Sequence, residues 1–169
     1  SIIKAMLKTG ITPDFIVVDG KEGGTGAAPV EFANHVGMPM LEGLNFVHNT
    51  LRGANLRQHI KLGAAGKIVS AFDIARTLAL GGDWCNSARG FMFSIGCIQS
   101  LKCDKNTCPT GVTTHKKSLQ RGLQPKEKSV KAAEYAKAMI KDVEMIAHSC
   151  GVPEPRALKR KHVRIVEAD

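Results

Sequence analysis

Three cysteines in one short stretch are the residues of this sequence best suited to chemistry. Cys97, Cys103 and Cys108 are separated by five and then four residues, and Pro109 follows the last of them. Thiolates are soft ligands that select zinc, copper(I) or iron–sulfur clusters. A structural zinc site usually has CxxC pairs and four ligands, but no CxxC pair is present and His115 is poorly spaced as the fourth. A Cys-Pro pair at the end of a cysteine run is typical of iron–sulfur ligation, so the spacing favours a cluster over zinc or unligated thiols.

Glycine-rich turns form a second group of candidates, because glycine lets the backbone approach a ligand closely. The first loop, residues 21–29, follows a predicted strand but matches neither the GxGxxG nor the P-loop pattern. The second turn, residues 63–69, precedes a helix predicted to start at Ser70, and backbone N–H groups at a helix N-terminus can bind phosphate. Either turn can equally be an ordinary connection between a strand and a helix.

Strands and helices alternate in the first half of the chain. Apolar runs bounded by turn residues predict strands at 15–19, 60–65 and 83–88, and helices are expected at 1–8, 41–59 and 70–80. This order predicts a parallel sheet with right-handed crossovers, in which the glycine turns meet at the C-terminal ends of the strands. Ligands bind at that end in such folds. Beyond the cysteines, we expect a long helix at 126–149 and a docking strand within 158–166.

The composition is that of a globular protein, and the length suits one domain. The 169 residues are 43% hydrophobic, which is enough for a core. Aromatic residues make up only 5%, which argues against a base-stacking nucleic-acid surface. The net charge of +9 indicates an anionic partner or, as is commoner for charge runs, a solvated basic face.

The cysteine count and the apolar pattern also bear on the compartment. Five cysteines, an odd number, do not indicate a disulfide framework, and no apolar run reaches 18 residues. We therefore expect a cytoplasmic protein without a membrane span.

Cys85 and Cys150 are predicted to be buried core thiols, because free cysteines are usually buried, and Trp84 is expected in the core. The chain begins with Ser1 inside an amphipathic run, which indicates a piece of a longer protein.

Three motifs, in the same order, resemble the glutamate synthase family. Residues 23–29, after a strand that ends in Asp-Gly, are similar to its GGTGA(A/S)P loop. Residues 63–67, before the Asp-Ile-Ala-Arg of 73–76, are similar to its phosphate-binding turn. The spacing of the cysteine segment is similar to that of its cluster-binding segment, and residues 83–92 resemble in particular the stand-alone FMN-binding glutamate-synthase-like proteins.

The resemblance implies a (β/α)8 barrel that holds FMN at its mouth beside a three-iron, four-sulfur cluster. It also implies a redox partner, either a subunit that depends on reduced pyridine nucleotide or a ferredoxin. The implied reaction reduces 2-iminoglutarate, formed from 2-oxoglutarate and ammonia, to L-glutamate. The implied cofactor contacts are Gly23, Gly24, Thr25, Gly26, Gly66, Lys67, Ile68, Ala88, Arg89 and Gly90, and the implied cluster ligands are Cys97, Cys103 and Cys108.

The chain accounts for only part of such a fold. A barrel of this type takes about 250 residues. We therefore expect the last strand–helix units of an α/β barrel of TIM type in residues 1–112, and a helical extension in 113–169. Such a piece would pair with the remainder of the parent chain or with a second copy through its open edge. The alternatives to an oxidoreductase portion are a non-catalytic electron-transfer or scaffold fragment, whose flavin site another chain completes, and a phosphate-binding barrel fragment without a redox role.

Overall fold

The computed structural model describes residues 1–20, 31–32 and 36–164, so the glycine loop of residues 21–29 lies outside these ranges. Short parallel strands alternate with helices, and a long helix follows. The strands are β1 (Phe15–Asp19), β2 (Lys61–Ala65) and β3 (Trp84–Asn86), and the helices are α1 (Ile2–Thr9), α2 (Met40–Gly53), α3 (Ala71–Ala79), α4 (Arg89–Ser94), α5 (Lys117–Gln120) and α6 (Pro125–Ser149). Two 3-10 turns, Pro155–Ala157 and Arg160–His162, end the described chain.

The sheet has the order β1-β2-β3, and both pairs of strands are parallel. Val17 lies opposite Gly63, and Gly63 lies opposite Trp84, so these three positions share one face. Parallel neighbours joined through helices are the unit of an α/β barrel. The predicted fold class, a partial parallel barrel followed by helices, is confirmed.

One face of the sheet forms the core with the helices. Leu62 and Ala64 of β2 are fully buried, as are Leu44 and Leu51 of α2. Ile16 of β1 and Cys85 of β3 pack against the same cluster. These strand residues alternate with those of the other face, as the pleat requires.

The opposite face is open. Trp84 lies over Gly63, where a Cβ would come within 2.5 Å of the indole ring. Phe15 contacts Trp84 edge to face, with ring centroids 5.6 Å apart. Phe15 is nevertheless 57% exposed and Val17 41% exposed. A parallel sheet normally has both faces covered, and in a closed barrel this face would be the interior. Trp84 is accordingly half-buried rather than a core residue.

Helix α2 ends at Gly53 and not, as predicted, near residue 59. Asn55 adopts a left-handed conformation, with φ at 56°, and the N–H groups of Leu56 and Arg57 both donate to the Leu51 carbonyl. These bonds close the helix in the manner of a C-terminal cap. The chain then turns, and Arg57, which the sequence placed in the helix, donates to three groups near the start of β2 and β3. They are the Ile60 and Gly81 carbonyls and the Asp83 carboxylate.

Helix α3 begins where the sequence predicts. The Ser70 hydroxyl accepts from the Asp73 N–H at 3.3 Å, and the Asp73 carboxylate accepts from the Ser70 N–H at 2.9 Å. This reciprocal pair is a capping box, which stabilises a helix start by about 1 kcal/mol. It also sets the direction in which the preceding turn enters the helix.

The long helix α6 packs on the outside of α3. Val143 and Ala147 are buried against Ala71, Ala75 and Ala79. The periodic apolar pattern predicted the helix bounds well. Several of its residues nevertheless face solvent: Val130 is 55% exposed and Ile140 58% exposed.

The residues after α6 differ from the prediction. The docking strand expected within 158–166 is absent from its described part, which forms a 3-10 turn and an extended segment. Cys150 is exposed at the end of α6, so its prediction as a core thiol is wrong. None of the helices in the described ranges has the length and apolar character needed to cross a bilayer.

Candidate functional site

The turn between β2 and α3 has an unusual backbone. Gly66 has a φ of 153° and Lys67 a φ of 48°, so the chain reverses direction within two residues. Side chains rarely adopt the first conformation, which explains the glycine. Ile68 is buried, at 2% exposure, and anchors the turn in the core, while Lys67 is exposed. The turn therefore presents a backbone segment and one cation at the C-terminal end of β2.

Asp73 already occupies part of the helix N-terminus. Its carboxylate accepts from the N–H groups of Val69 and Ser70 at 3.2 and 2.9 Å. Partial burial raises the pKa of Asp73, but hydrogen bonds from Ser70 and Val69 and the charge of Arg76 outweigh it, so that the pKa lies below its ordinary value. The amides of Val69 and Ser70 are therefore already engaged, and the predicted contacts Gly66, Lys67 and Ile68 precede them in the chain.

The loop between β3 and α4 lies beside this turn. The Ser87 hydroxyl donates to the Ile68 carbonyl at 2.7 Å and joins the two loops directly. Of the residues predicted in this loop, only Ala88 belongs to it and is exposed, whereas Arg89, half-buried, and Gly90, buried, form the first turn of α4. The structure thus brings together two of the three predicted loops, at the C-terminal ends of neighbouring strands. The third set of candidates, Gly23, Gly24, Thr25 and Gly26, lies outside the described residues.

Two contact residues were not predicted. Ser87 carried no signal, because the sequence placed it inside the strand predicted at 83–88, whereas β3 ends at Asn86. Tyr135 of α6 donates from its hydroxyl to the Val69 carbonyl at 2.7 Å, although 66 positions separate the two residues. The sequence offered one clue to Tyr135, since it is the only tyrosine and it interrupts a run of alanine and charged residues.

The cysteine segment folds into consecutive turns without regular structure. Gln99, Leu101 and Asn106 all have positive φ angles, between 53° and 54°. Asn106 holds the end of the segment: its side-chain oxygen accepts from the Thr114 hydroxyl at 2.9 Å and from the His115 N–H at 2.6 Å. Left-handed non-glycine residues are uncommon and often mark functional loops.

Cys108 has a polar environment. Burial opposes ionisation of its thiol, but polar groups of Thr110 and Thr113 outweigh it and lower the pKa to about 6. The Thr110 hydroxyl lies 3.4 Å from the sulfur. The Thr113 hydroxyl is buried and has no hydrogen-bond partner among the described groups.

The three cysteines are not assembled around one point. No group of three or more His, Cys, Asp or Glu residues in the described ranges lies close enough to hold a metal ion. His115 therefore completes no zinc site there. Cys108 is buried, while Cys97 and Cys103 are only half-buried. The surroundings of Cys108 fit a thiolate ligand, but the arrangement of the three sulfurs does not form a cluster site, so it supports no chemical step through one.

Comparison with known proteins identifies the family. Residues 2–153 match the model of the conserved region in glutamate synthase. The chain belongs to the glutamate synthase family. It is 42% identical over 158 residues to the glutamate synthase large subunit-like protein YerD of Bacillus subtilis (strain 168), covering 94% of this chain and 30% of that protein. It is 30% identical over 152 residues to the archaeal glutamate synthase [NADPH] of Methanocaldococcus jannaschii, covering 90% of this chain and 30% of that protein.

The family relatives are much longer than this chain, which spans 30% of the length of both. Solved structures agree on the fold. The flavin-binding domain of baker's yeast flavocytochrome b2 superimposes with a TM-score of 0.57 at 14% identity, over 99% of this chain and 35% of that one. At that identity the likeness concerns the fold alone.

Proposed function

We propose that the chain is the FMN- and iron–sulfur-binding portion of a glutamate synthase-like oxidoreductase that works in the cytoplasm as part of a larger protein. The complete enzyme would reduce 2-iminoglutarate, formed from 2-oxoglutarate and ammonia, to L-glutamate. One observation carries the FMN assignment: the turn at 66–68 and the connection from β3 to the start of α4 are joined at the C-terminal ends of neighbouring parallel strands, by the hydrogen bond from Ser87 to Ile68. Phosphate groups bind at this position in α/β barrels. The family membership supports the reaction.

Each loop has a distinct role in this proposal. The backbone of Gly66, Lys67 and Ile68 would donate N–H groups to the FMN phosphate, and the side chain of Lys67 would supply positive charge. Ala88, Arg89 and Gly90 would contact the phosphate from the other side. The loop that contains Gly23, Gly24, Thr25 and Gly26 would line the flavin or the substrate. When bound, FMN supplies the redox chemistry, and the protein orients it and excludes water.

The cluster assignment rests on the donor chemistry. Cys97, Cys103 and Cys108 are soft donors on one irregular segment, and we propose that they bind a three-iron, four-sulfur cluster in the complete protein. A redox partner would be a pyridine nucleotide-dependent subunit or a ferredoxin. Relatives of both descriptions occur, since one is named for NADPH and another, from Arabidopsis thaliana, is named ferredoxin-dependent.

The FMN assignment is tested by flavin binding to the complete protein. We expect stoichiometric FMN, released on heating and identified by chromatography. Lys67→Gln should raise the Kd by about fivefold, the effect of losing one charge-assisted contact of about 1 kcal/mol. Lys61→Gln is the matched control, because Lys61 is also exposed but lies at the opposite end of β2. A complete protein without flavin would contradict the proposal, and an unchanged Kd in Lys67→Gln would remove that side chain from the site.

The cluster assignment is tested by metal content. Protein purified without oxygen is assayed for iron, acid-labile sulfide and zinc. Cys103→Ser should lose most of the iron and sulfide, whereas Cys150→Ser, at an exposed cysteine outside the segment, should retain both. Equal iron and sulfide in the two variants would refute cluster binding by Cys103, and zinc in place of iron would favour the alternative metal.

A further inference from the structure

Tyr135 lies outside the strand–helix repeat but contacts the loops of the proposed phosphate site. It is half-buried on α6. Its ring packs edge to face on Phe91 of α4, with centroids 5.0 Å apart and an interplanar angle of 89°. Its hydroxyl donates to the Val69 carbonyl at 2.7 Å. One side chain therefore contacts both the turn after β2 and the helix that follows β3.

The peptide groups before and after Val69 are both held by side chains. The Val69 N–H, in the 68–69 peptide, donates to the Asp73 carboxylate at 3.2 Å, and the Val69 carbonyl, in the 69–70 peptide, accepts from Tyr135 at 2.7 Å. Without the tyrosine hydroxyl, this carbonyl would have to find water or remain unpaired. Since Val69 directly follows Ile68, these two bonds hold the chain immediately after the 66–68 turn.

Gly90, at the start of α4, lets this segment approach Tyr135 closely. Gly90 is buried, and a Cβ at this position would collide with the Tyr135 hydroxyl. It would also come within 3.1 Å of the Ser87 hydroxyl, which donates to Ile68. The absence of a side chain at position 90 lets the tyrosine hydroxyl lie between the two loops.

We propose that Tyr135 is a positioning residue for the phosphate of FMN, which holds the 66–69 turn and the start of α4 at 88–90 at the spacing that the phosphate requires. The inference rests on the proposed FMN function and adds to it a residue from the helical extension. Tyr135 acts through the loops and does not touch the ligand. Its loss should therefore affect a flavin that carries a phosphate more than one that does not.

The test compares FMN with riboflavin, which lacks the phosphate, in the complete protein. Tyr135→Phe keeps the ring and removes the hydroxyl. We expect the Kd for FMN to rise about fivefold, as for the loss of one hydrogen bond, while the Kd for riboflavin stays unchanged. Val143→Ala is the control for general loosening of α6, because Val143 packs on α3 away from both loops. It should change the two Kd values by the same factor.

A double-mutant cycle tests the contact itself. Gly90→Ala should weaken FMN binding more in the parent than in the Tyr135→Phe background, where the colliding oxygen is gone. Additive effects would overturn the inference, as would an unchanged FMN Kd in Tyr135→Phe or an equal loss of riboflavin affinity. A parent protein that binds no FMN would overturn the proposed function and this inference with it. If the parent binds FMN and every variant binds it with the same Kd, the proposed function stands and only the inference about Tyr135 is overturned.

Discussion

The cysteines of this chain differ in environment although their residue type is the same. Cys85 lies on β3 beside the core, where burial raises the pKa of its thiol to about 11. Cys150 lies at the exposed end of α6. A thiolate, not a thiol, attacks alkylating reagents, so the raised pKa of Cys85 and the exposure of Cys150 both favour reaction at Cys150. Neither belongs to the proposed cluster segment.

We predict that iodoacetamide at pH 8 modifies Cys150 and spares Cys85 in the native protein. The thiolate fraction of Cys85 should be roughly 100-fold lower than that of an ordinary cysteine, because its pKa is about two units higher. Peptide mass spectrometry over a time course measures both rates. Urea should bring the rate at Cys85 up to that at Cys150, which serves as the internal control. Equal rates without urea would contradict the burial of Cys85.

A substitution at Gly66 would affect both phosphate binding and the backbone of the turn. A bulky substitution there would crowd a bound phosphate, but the φ of 153° means that it would also strain the turn itself. A loss of FMN in Gly66→Val would therefore not separate binding from folding. Lys67, whose φ of 48° is already tolerated by a side chain, is the better position to test.

At the scale of elements, one arginine joins α2, β2 and β3. Arg57 donates to the Ile60 and Gly81 carbonyls at 2.9 and 2.8 Å and to the Asp83 carboxylate at 2.8 Å. The same carboxylate oxygen accepts from the Leu62 N–H at 2.7 Å. The Arg57 and Asp83 side chains are only 17% and 27% exposed, so this ion pair is better shielded than a surface pair. The network fixes the N-terminal ends of the strands, opposite the candidate site.

We predict that Arg57→Met lowers the free energy of unfolding by about 1–3 kcal/mol, because the two carbonyls lose their bonds from the guanidinium and the Asp83 carboxylate loses its cationic partner, keeping only the Leu62 N–H as a donor. Chemical denaturation measures the change, and hydrogen exchange should show faster opening at β2 and β3. Arg52→Met is the matched control, since Arg52 is an exposed arginine near the end of α2, five positions before Arg57. FMN affinity should change little, because the network lies away from the loops. Equal stabilities of the two variants would contradict the role of the network.

At the scale of the whole molecule, the open face of the sheet determines how this chain behaves alone. Phe15, Val17 and Trp84 lie on a face that no described element covers, and β1 is an edge strand in the described sheet. Both features favour pairing with further chain. The curated relatives are about three times longer, and the additional residues would supply the missing strands of a barrel.

We predict that the isolated chain of 169 residues associates with itself, whereas the complete protein covers this face. Light scattering coupled to size exclusion measures the mass. Phe15→Lys should increase the monomer fraction, because it places a charge on the open face. Phe72→Lys is the control: Phe72 is 73% exposed on α3, away from the sheet. A monodisperse monomer that melts cooperatively and binds FMN tightly would contradict the interpretation as part of a barrel.

The sequence by itself determined the elements that depend on neighbouring residues. The β-branched run at 15–19 predicts β1 with its observed bounds, and Ser70 with Asp73 marks the start of α3. Pro125 opens α6, which runs to Ser149 as the pattern indicates. These signals act within a few residues, through backbone preference and capping, and so they can be read without the fold.

Only the tertiary structure decided which distant groups meet. Arg57, just beyond the end of α2, reaches Gly81 and Asp83, 24 and 26 positions away. The exposure of Cys150 depends on which face of α6 packs against α3. The contact between Tyr135 and Val69 joins two elements with no local relation in sequence. Hydrogen bonds and burial of this kind arise from the path of the whole chain, because no residue pattern records which surfaces the folded backbone will bring together.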